Sequence, residues 1–227
     1  MTEFELKKQW PIIFAVDTSG SMAGTRLSQL NNALQELTCM LGNVADQMEV
    51  KLSIRLIEFN TEARWLVGGL ETGVDHLDIL FSDASGRTNT ADALKLVKDV
   101  MTYRYLGPWL APIVILITDG YSINPQETAE VIEKLKTSAM GSRNKMVRVA
   151  FIIGDEIIPE VETFVSLADE KPLVFKVDDF GHIPEIEYFR NTLLSQYFVH
   201  NHISPYDDVV QIISDANEPE WEDIWEE

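Results

Sequence analysis

The chain has 227 residues, 45% of them hydrophobic, which suits one α/β domain with an ample core. Its formal net charge of −19 excludes a phosphate-neutralising nucleic-acid surface, because such a surface needs clustered Lys and Arg, and only 18 basic residues stand among 37 acidic ones. The single cysteine, Cys39, excludes an internal disulfide framework, and its place in an apolar helical pattern predicts a buried thiol.

The first predicted element is a buried parallel strand at Trp10–Val16, because this stretch is continuously apolar. Asp17 interrupts the run before it could serve as a secretory signal, and no other apolar run approaches membrane-spanning length. We therefore expect a soluble cytoplasmic protein without membrane contact. A helix follows, with a stripe of leucines at steps of three and four residues that ends near Gly42: Leu27, Leu30, Leu34, Leu37 and Leu41.

The next elements form a predicted antiparallel pair. Val50–Phe59 alternates apolar and polar residues, and Arg64–Leu70 follows after a short turn. Residues 71–87 are rich in Asp and Gly, which predicts a long surface loop with one helical turn around His76–Phe81.

The second half of the chain alternates helices and apolar strands. We predict helices from Thr90 to about Met101, from Asn124-Pro125 through Leu135, over Pro159–Ala168 and over Ile183–Phe198, and strands over Ala111–Thr118, Val147–Gly154 and Leu173–Val177. The order predicts a doubly wound, mostly parallel six-stranded sheet with one antiparallel edge strand and helices on both faces. A ligand site in such a sheet lies beyond the carboxyl ends of its central strands.

Polar side chains follow two of those strands. Asp17, Ser19 and Ser21 come directly after the first strand, and Asp119 follows the strand Ala111–Thr118. Hard oxygen ligands of this kind suit Mg²⁺, Mn²⁺ or Ca²⁺, whereas softer metals would call for Cys or His. The alternative is a simple turn and helix cap at Asp17–Ser21.

Three short motifs carry a family resemblance. Asp17-x-Ser19-x-Ser21, Gly86-Arg87-Thr88-Asn89 and Thr118-Asp119-Gly120, in this order, resemble the von Willebrand factor type A domain and its metal-ion-dependent adhesion site. The resemblance covers roughly residues 8–200. It implies a Mg²⁺ at the carboxyl edge of the sheet, bound by the hydroxyls of Ser19, Ser21 and Thr88, with Asp17 and Asp119 binding directly or through water.

Three further details bear on this resemblance. The start Pro11–Met22 and the acidic C-terminus look like the bacterial TerY-type branch, which is linked to tellurite resistance and would imply a metal-stress or phosphorylation-signalling assembly. Family members commonly carry Gly where this chain has Arg87, and a cation there would either repel the metal or favour an acidic incoming ligand. Thr88 could also be a helix cap, a role for which Thr90 competes.

We weigh two classes of function. In the first, a non-catalytic binding module, the octahedral shell keeps a position for an Asp or Glu of a partner protein. In the second, a Mg²⁺-dependent phosphohydrolase or phosphoacceptor domain would use Asp17. That class wants an acidic residue two positions after Asp17, where this chain has Ser19, or a Lys at a later strand end, which is absent near Asp119. The sequence favours the binding module.

The tail is predicted to be separate from the domain, which divides the chain into a domain at 1–200 and an acidic tail at 201–227. The last 21 residues carry nine acidic side chains and no Lys or Arg. This charge favours a disordered end, but apolar residues stand among the acids, including Trp221, Ile224 and Trp225. We therefore hypothesise that the tail binds a partner, or that it lends a carboxylate to the metal of its own or a neighbouring molecule.

Overall fold

The computed structural model describes residues 9–69, 73–102, 112–138, 146–154, 158–165, 173–188 and 190. The elements, in chain order, are β1 (Gln9–Asp17), α1 (Thr25–Gln47), β2 (Lys51–Phe59), β3 (Ala63–Val67), α2 (Thr90–Thr102), β4 (Ile113–Thr118), α3 (Pro125–Thr137), β5 (Val147–Ile153), α4 (Pro159–Val165) and β6 (Val174–Val177). A single 3₁₀ turn at Gly20–Met22 joins β1 to α1.

The strands form one six-stranded sheet in the order β3-β2-β1-β4-β5-β6. Every pairing is parallel except that of β2 with β3, so the antiparallel strand lies at one edge. The predicted doubly wound, mostly parallel sheet is therefore confirmed.

Hydrophobic side chains cover both faces of the sheet. Ile12, Phe14 and Val16 of β1 pack on the face that α1 covers. Ile13 and Ala15, which point to the opposite face, pack with α2, α3 and α4. Both faces of β1 are buried, which explains why its sequence is continuously apolar rather than alternating.

The connections from β1 define where a ligand can reach the sheet. β1 lies between β2 and β4, and the helices that precede these two strands cover opposite faces. The loops beyond the carboxyl ends of β1 and β4 therefore diverge, and this divergence opens a crevice at the topological switch point.

Helix α1 differs from its prediction in two respects. It continues past Gly42 to Gln47, because Val44 and Ala45 extend its buried face. Cys39 is exposed rather than buried, since it lies off the leucine stripe that faces the sheet. The prediction of a buried thiol was wrong.

The helical turn predicted around His76–Phe81 is also absent. Val74 instead pairs in antiparallel fashion with Ile54, a part of β2 that lies beyond the end of its pairing with β3. Downstream, the side-chain amide of Asn31 exchanges two hydrogen bonds of 2.9 Å with the backbone of Phe81. These contacts hold the segment extended, and Leu77 and Phe81 pack in the same cluster as α1, whereas Leu80 is exposed.

Several predictions fall wholly or partly outside the described residues. They include the end of the helix predicted over Pro159–Ala168, most of the helix predicted over Ile183–Phe198, and the tail 201–227 with its boundary at 200. In the part of the chain that the structure describes, no helix combines the length and the apolar character that crossing a membrane requires.

Candidate metal centre

The five predicted ligands come together at the crevice. Asp17 ends β1, Ser19 directly precedes the 3₁₀ turn that contains Ser21, and Asp119 comes directly after β4. Thr88 arrives from the loop that precedes α2. The site is thus assembled from three loops at the carboxyl edge of two neighbouring strands.

A chain of hydrogen bonds links four of the five side chains. The hydroxyl of Thr88 donates to Ser19 Oγ over 2.9 Å, Ser19 Oγ and Ser21 Oγ are 3.1 Å apart, and Ser21 donates to Asp119 Oδ1 over 2.8 Å. Because the one proton of Ser21 goes to Asp119, Ser19 must donate to Ser21. Each hydroxyl oxygen accepts at most one of these bonds and so retains a lone pair for a cation.

The spacing of these oxygens fits an octahedral shell. In such a shell with bonds of about 2.1 Å, adjacent ligand oxygens lie about 3.0 Å apart, whereas tetrahedral coordination at similar bond lengths places them about 3.4 Å apart. The observed contacts of 2.8 to 3.1 Å are ordinary hydrogen-bond lengths, and an octahedral shell accommodates oxygens at this separation. In the described residues, no three His, Cys, Asp or Glu side chains cluster in a way that could hold a metal, so this centre depends on its hydroxyls.

Asp17 is buried and holds the loop after β1 through hydrogen bonds. Its Oδ1 accepts from the Ser19 amide at 2.8 Å, and its Oδ2 accepts from the Thr118 hydroxyl at 2.6 Å. Burial raises the pKa of Asp17 from 3.8 to about 6, against the lowering effect of the hydrogen bonds from Thr118 and Ser19. A buried carboxylate of this kind is stabilised by a nearby cation.

The Thr88 loop is held by its neighbours. Gly86 accepts a bond of 3.0 Å from the amide of Gly20, and the Thr88 carbonyl accepts one of 2.8 Å from Ile123. Gly86 adopts φ = 80°, and a Cβ there would lie 2.5 Å from Thr61 Oγ1, so only glycine fits. These contacts connect all three loops of the site.

The structure resolves the competing role proposed for Thr88. The amide of Asp92, in the first turn of α2, donates to Asn89 Oδ1 at 3.4 Å, so Asn89 caps the helix. The hydroxyl of Thr88 points instead to Ser19. A local turn does exist at Asp17–Ser19, but the contacts from Thr88, Thr118 and Asp119 go beyond what a turn requires.

Sequence reasoning missed two residues of the site. Thr118 holds Asp17, and Arg26, in the first turn of α1, donates from Nη1 to Asp119 Oδ2. No local pattern marks Arg26, because its partner lies 93 residues further along the chain. Arg87 is exposed, and its backbone amide donates to Thr61 Oγ1 at 3.0 Å.

The surface around the crevice carries exposed apolar side chains. Tyr121 and Ile123, in the loop after β4, are 58% and 38% exposed. They form the apolar rim of the site.

Comparison with known families matches these observations. A family model described as von Willebrand factor type A domain matches residues 12–188. A comparison with curated protein sequences found no significant match.

Solved structures share the fold at low sequence identity. A von Willebrand factor type A protein from Catenulispora acidiphila aligns with a TM-score of 0.56 at 16% identity, over 84% of this chain and 43% of the other. Proximal thread matrix protein 1 from the mussel byssus aligns with a TM-score of 0.54 at 18% identity, over 83% and 46%. A structure of the same mussel protein with a zinc-occupied MIDAS (metal-ion-dependent adhesion site) motif aligns with a TM-score of 0.53 at 16% identity, over 83% of this chain and 45% of the other. This chain thus spans less than half of each of these proteins.

Proposed function

The chain belongs to the von Willebrand factor type A family, and from this premise we propose that it is a non-catalytic protein-binding module whose metal centre accepts a carboxylate of a partner protein. Domains of this family are typically metal-dependent interaction modules. The proposed ligands are Asp17, Ser19, Ser21, Thr88 and Asp119.

The observation that carries the proposal is the hydrogen-bond chain from Thr88 through Ser19 and Ser21 to Asp119. It brings three neutral hydroxyl oxygens together with Asp119, and the carboxylates of Asp17 and Asp119 can balance a divalent charge. A divalent ion bound there would supply an electrophilic position that an external carboxylate can share. Tyr121 and Ile123, on the apolar rim, offer the partner a surface that excludes water, and attraction between charges strengthens as water is excluded.

We propose Mg²⁺ as the ion, with Mn²⁺ and Ca²⁺ as alternatives. The ligand set consists only of hydroxyl and carboxylate oxygens, which hard cations prefer. In the mussel protein, one structure is described as having zinc in its metal-ion-dependent adhesion site.

The environment of Asp17 supports a non-catalytic role over a phosphohydrolase or phosphoacceptor. A phosphoacceptor carboxylate must present an oxygen to its substrate, but the Asp17 side chain is buried and both of its oxygens accept hydrogen bonds. Its position suits support of the cation rather than attack on a phosphate.

We expect partner capture to depend on the metal. When the chain is immobilised and exposed to an extract of its source cells, specific proteins should bind in Mg²⁺ and be lost in EDTA, because the carboxylate contact requires the cation. The Asp17→Ala variant should behave in Mg²⁺ as the intact chain does in EDTA. Capture that is unaffected by EDTA would contradict the proposal, and phosphoester hydrolysis lost in Asp17→Ala would support the enzyme instead.

The acidic tail is a candidate ligand for the same site. Residues 207–227 combine carboxylates with Trp221, Ile224 and Trp225, which complement both a cation and the apolar rim. We propose that this segment binds the metal centre of its own or a neighbouring molecule, or docks on a partner.

Truncation after Tyr206 tests the role of the tail. We expect the truncated chain to lose Mg²⁺-dependent self-association in sedimentation velocity, or to bind Mg²⁺ more weakly in calorimetry, because a carboxylate ligand has been removed. The comparison is made in Mg²⁺ and in EDTA. If oligomeric state, metal affinity and partner capture all match those of the intact chain, the tail has none of these roles.

The cellular setting is a further proposal. The resemblance of Pro11–Met22 and of the acidic C-terminus to the TerY-type branch supports a cytoplasmic role in a metal-stress or phosphorylation-signalling assembly. Identification of the proteins captured in Mg²⁺ tests this assignment directly.

A further inference from the structure

Arg26 is the charged neighbour of the metal centre that the family motif does not include. Its guanidinium Nη1 donates to Asp119 Oδ2, while the other carboxylate oxygen accepts from Ser21. Within the described residues, no other Lys or Arg forms an ion pair with one of the five candidate ligands. Arg26 therefore pairs directly with Asp119, a carboxylate that the metal would also bind.

The position of Arg26 leaves it open to a ligand from outside. Its side chain is 44% exposed, whereas the side chain of Asp119 is 0% exposed. Its second terminal nitrogen, Nη2, lies at the end of β5, where a Cβ built on Gly154 would be 3.7 Å away. An incoming group that reaches the crevice thus meets the guanidinium before it can meet Asp119.

The charges of the site give Arg26 opposite effects on two ligands. Asp17 and Asp119 together balance a divalent cation, and the guanidinium then adds one positive charge. That charge repels the metal and competes with it for Asp119, but it attracts an incoming carboxylate. A guanidinium also has spare N–H donors in a planar arrangement that matches a carboxylate.

We propose that Arg26 is a specificity-determining residue, which weakens the binding of the divalent ion and strengthens the binding of an acidic ligand. This inference rests on the proposed function, since it assumes that a carboxylate binds at the metal centre. Arg26 therefore makes the centre selective for anionic ligands over neutral oxygen ligands such as water or an amide.

The test measures both affinities in matched variants. Mg²⁺ binding is followed by calorimetry, and acetate binding to Mn²⁺-saturated protein is followed by water-proton relaxation, both at constant ionic strength. Arg26→Gln should bind Mg²⁺ about tenfold more tightly and acetate about tenfold more weakly, the size expected when one half-exposed charge is removed close to the ion at a high effective dielectric constant. Arg26→Lys, which keeps the charge, should restore both constants most of the way to wild type.

Arg87→Gln is the control for a general charge effect. It removes the same charge from an exposed arginine that, unlike Arg26, forms no ion pair with a candidate ligand among the described residues, so the effect expected from its place next to Thr88 should be small and both constants should stay within about threefold of wild type. Unfolding of each variant in EDTA checks that the fold is intact. Shifts in Arg87→Gln equal to those in Arg26→Gln would overturn the inference, as would unchanged constants in Arg26→Gln or shifts of the same sign. If wild type bound neither Mg²⁺ nor Mn²⁺, the proposed function would fail, and this inference with it.

Discussion

Asp17→Asn is expected to weaken metal binding strongly and at the same time to stabilise the metal-free protein. The substitution removes the charge but can keep both contacts, since the amide oxygen can accept from the Ser19 amide and its nitrogen can donate to Thr118 Oγ1. Loss of the carboxylate should weaken Mg²⁺ binding by about 100-fold, the upper end of what loss of a supporting group costs. Calorimetry with MgCl₂ measures this effect.

The gain in stability of Asp17→Asn should depend on pH. Burial raises the pKa of Asp17 in the folded protein from 3.8 to about 6. The folded state therefore holds this proton more tightly than the unfolded state, so wild type loses stability as the pH rises from 3.8 to 6 and keeps that loss at higher pH. The loss amounts to about 3 kcal/mol above pH 6, and it is absent from the asparagine variant.

Urea unfolding in EDTA checks the sign of this effect. The difference in unfolding free energy between Asp17→Asn and wild type should be small near pH 4 and should reach its full value near pH 7.5. Taking the difference cancels the contribution of the other acidic groups to the pH dependence of the unfolding free energy, because these groups titrate in both proteins. A variant that is less stable than wild type at pH 7.5 would show that the charge of Asp17 is already compensated without a metal.

Thr88→Val is expected to weaken metal binding while the fold survives. Valine keeps the volume of the buried side chain but removes the hydroxyl that donates to Ser19. The loss of one ligand, together with the start of the hydroxyl chain, should lower Mg²⁺ affinity about 10- to 100-fold. The unfolding free energy in EDTA should fall by only about 1 kcal/mol, the value of one hydrogen bond.

Thr90→Val is the matched control for Thr88→Val. Thr90 is buried like Thr88 and lies two residues further along, but it begins α2 rather than facing the crevice. Its variant should bind Mg²⁺ within about twofold of wild type, because it removes no ligand. Equal losses of affinity in the two variants would mean that the threonines act through the start of the helix and not through metal ligation.

Much of the fold could be predicted because local patterns and tertiary demands agree. The strand Gln9–Asp17 is buried on both faces, so its sequence is apolar throughout. The helix that begins at Pro125 carries the start signal Asn-Pro, and the structure begins it there. Around residues 76–81 the local pattern and the tertiary contacts disagreed. The free edge of β2 at Ile54 and the amide of Asn31 favour an extended segment over the helical turn that the pattern predicted.

The residues of the candidate site also differ in whether the sequence could predict their roles. Asp17 and Asp119 could be found as polar residues at strand ends, whereas the role of Thr88 depended on a family motif. Asn89 as the helix cap and Arg26 as the partner of Asp119 could not be predicted. Their roles depend on which loops meet, and no local pattern in the chain records such contacts.

The sequence by itself determined the strand order along the chain, the apolar core and the hard oxygen groups at the strand ends, because periodicity and residue chemistry are local properties. Only the tertiary structure decided that four of these side chains lie in one hydrogen-bonded chain and that Arg26 shares Asp119 with them. The reason is physical: the contacts between different loops join residues 69 to 98 positions apart, and only the packing of parallel strands brings the loops at their carboxyl ends together.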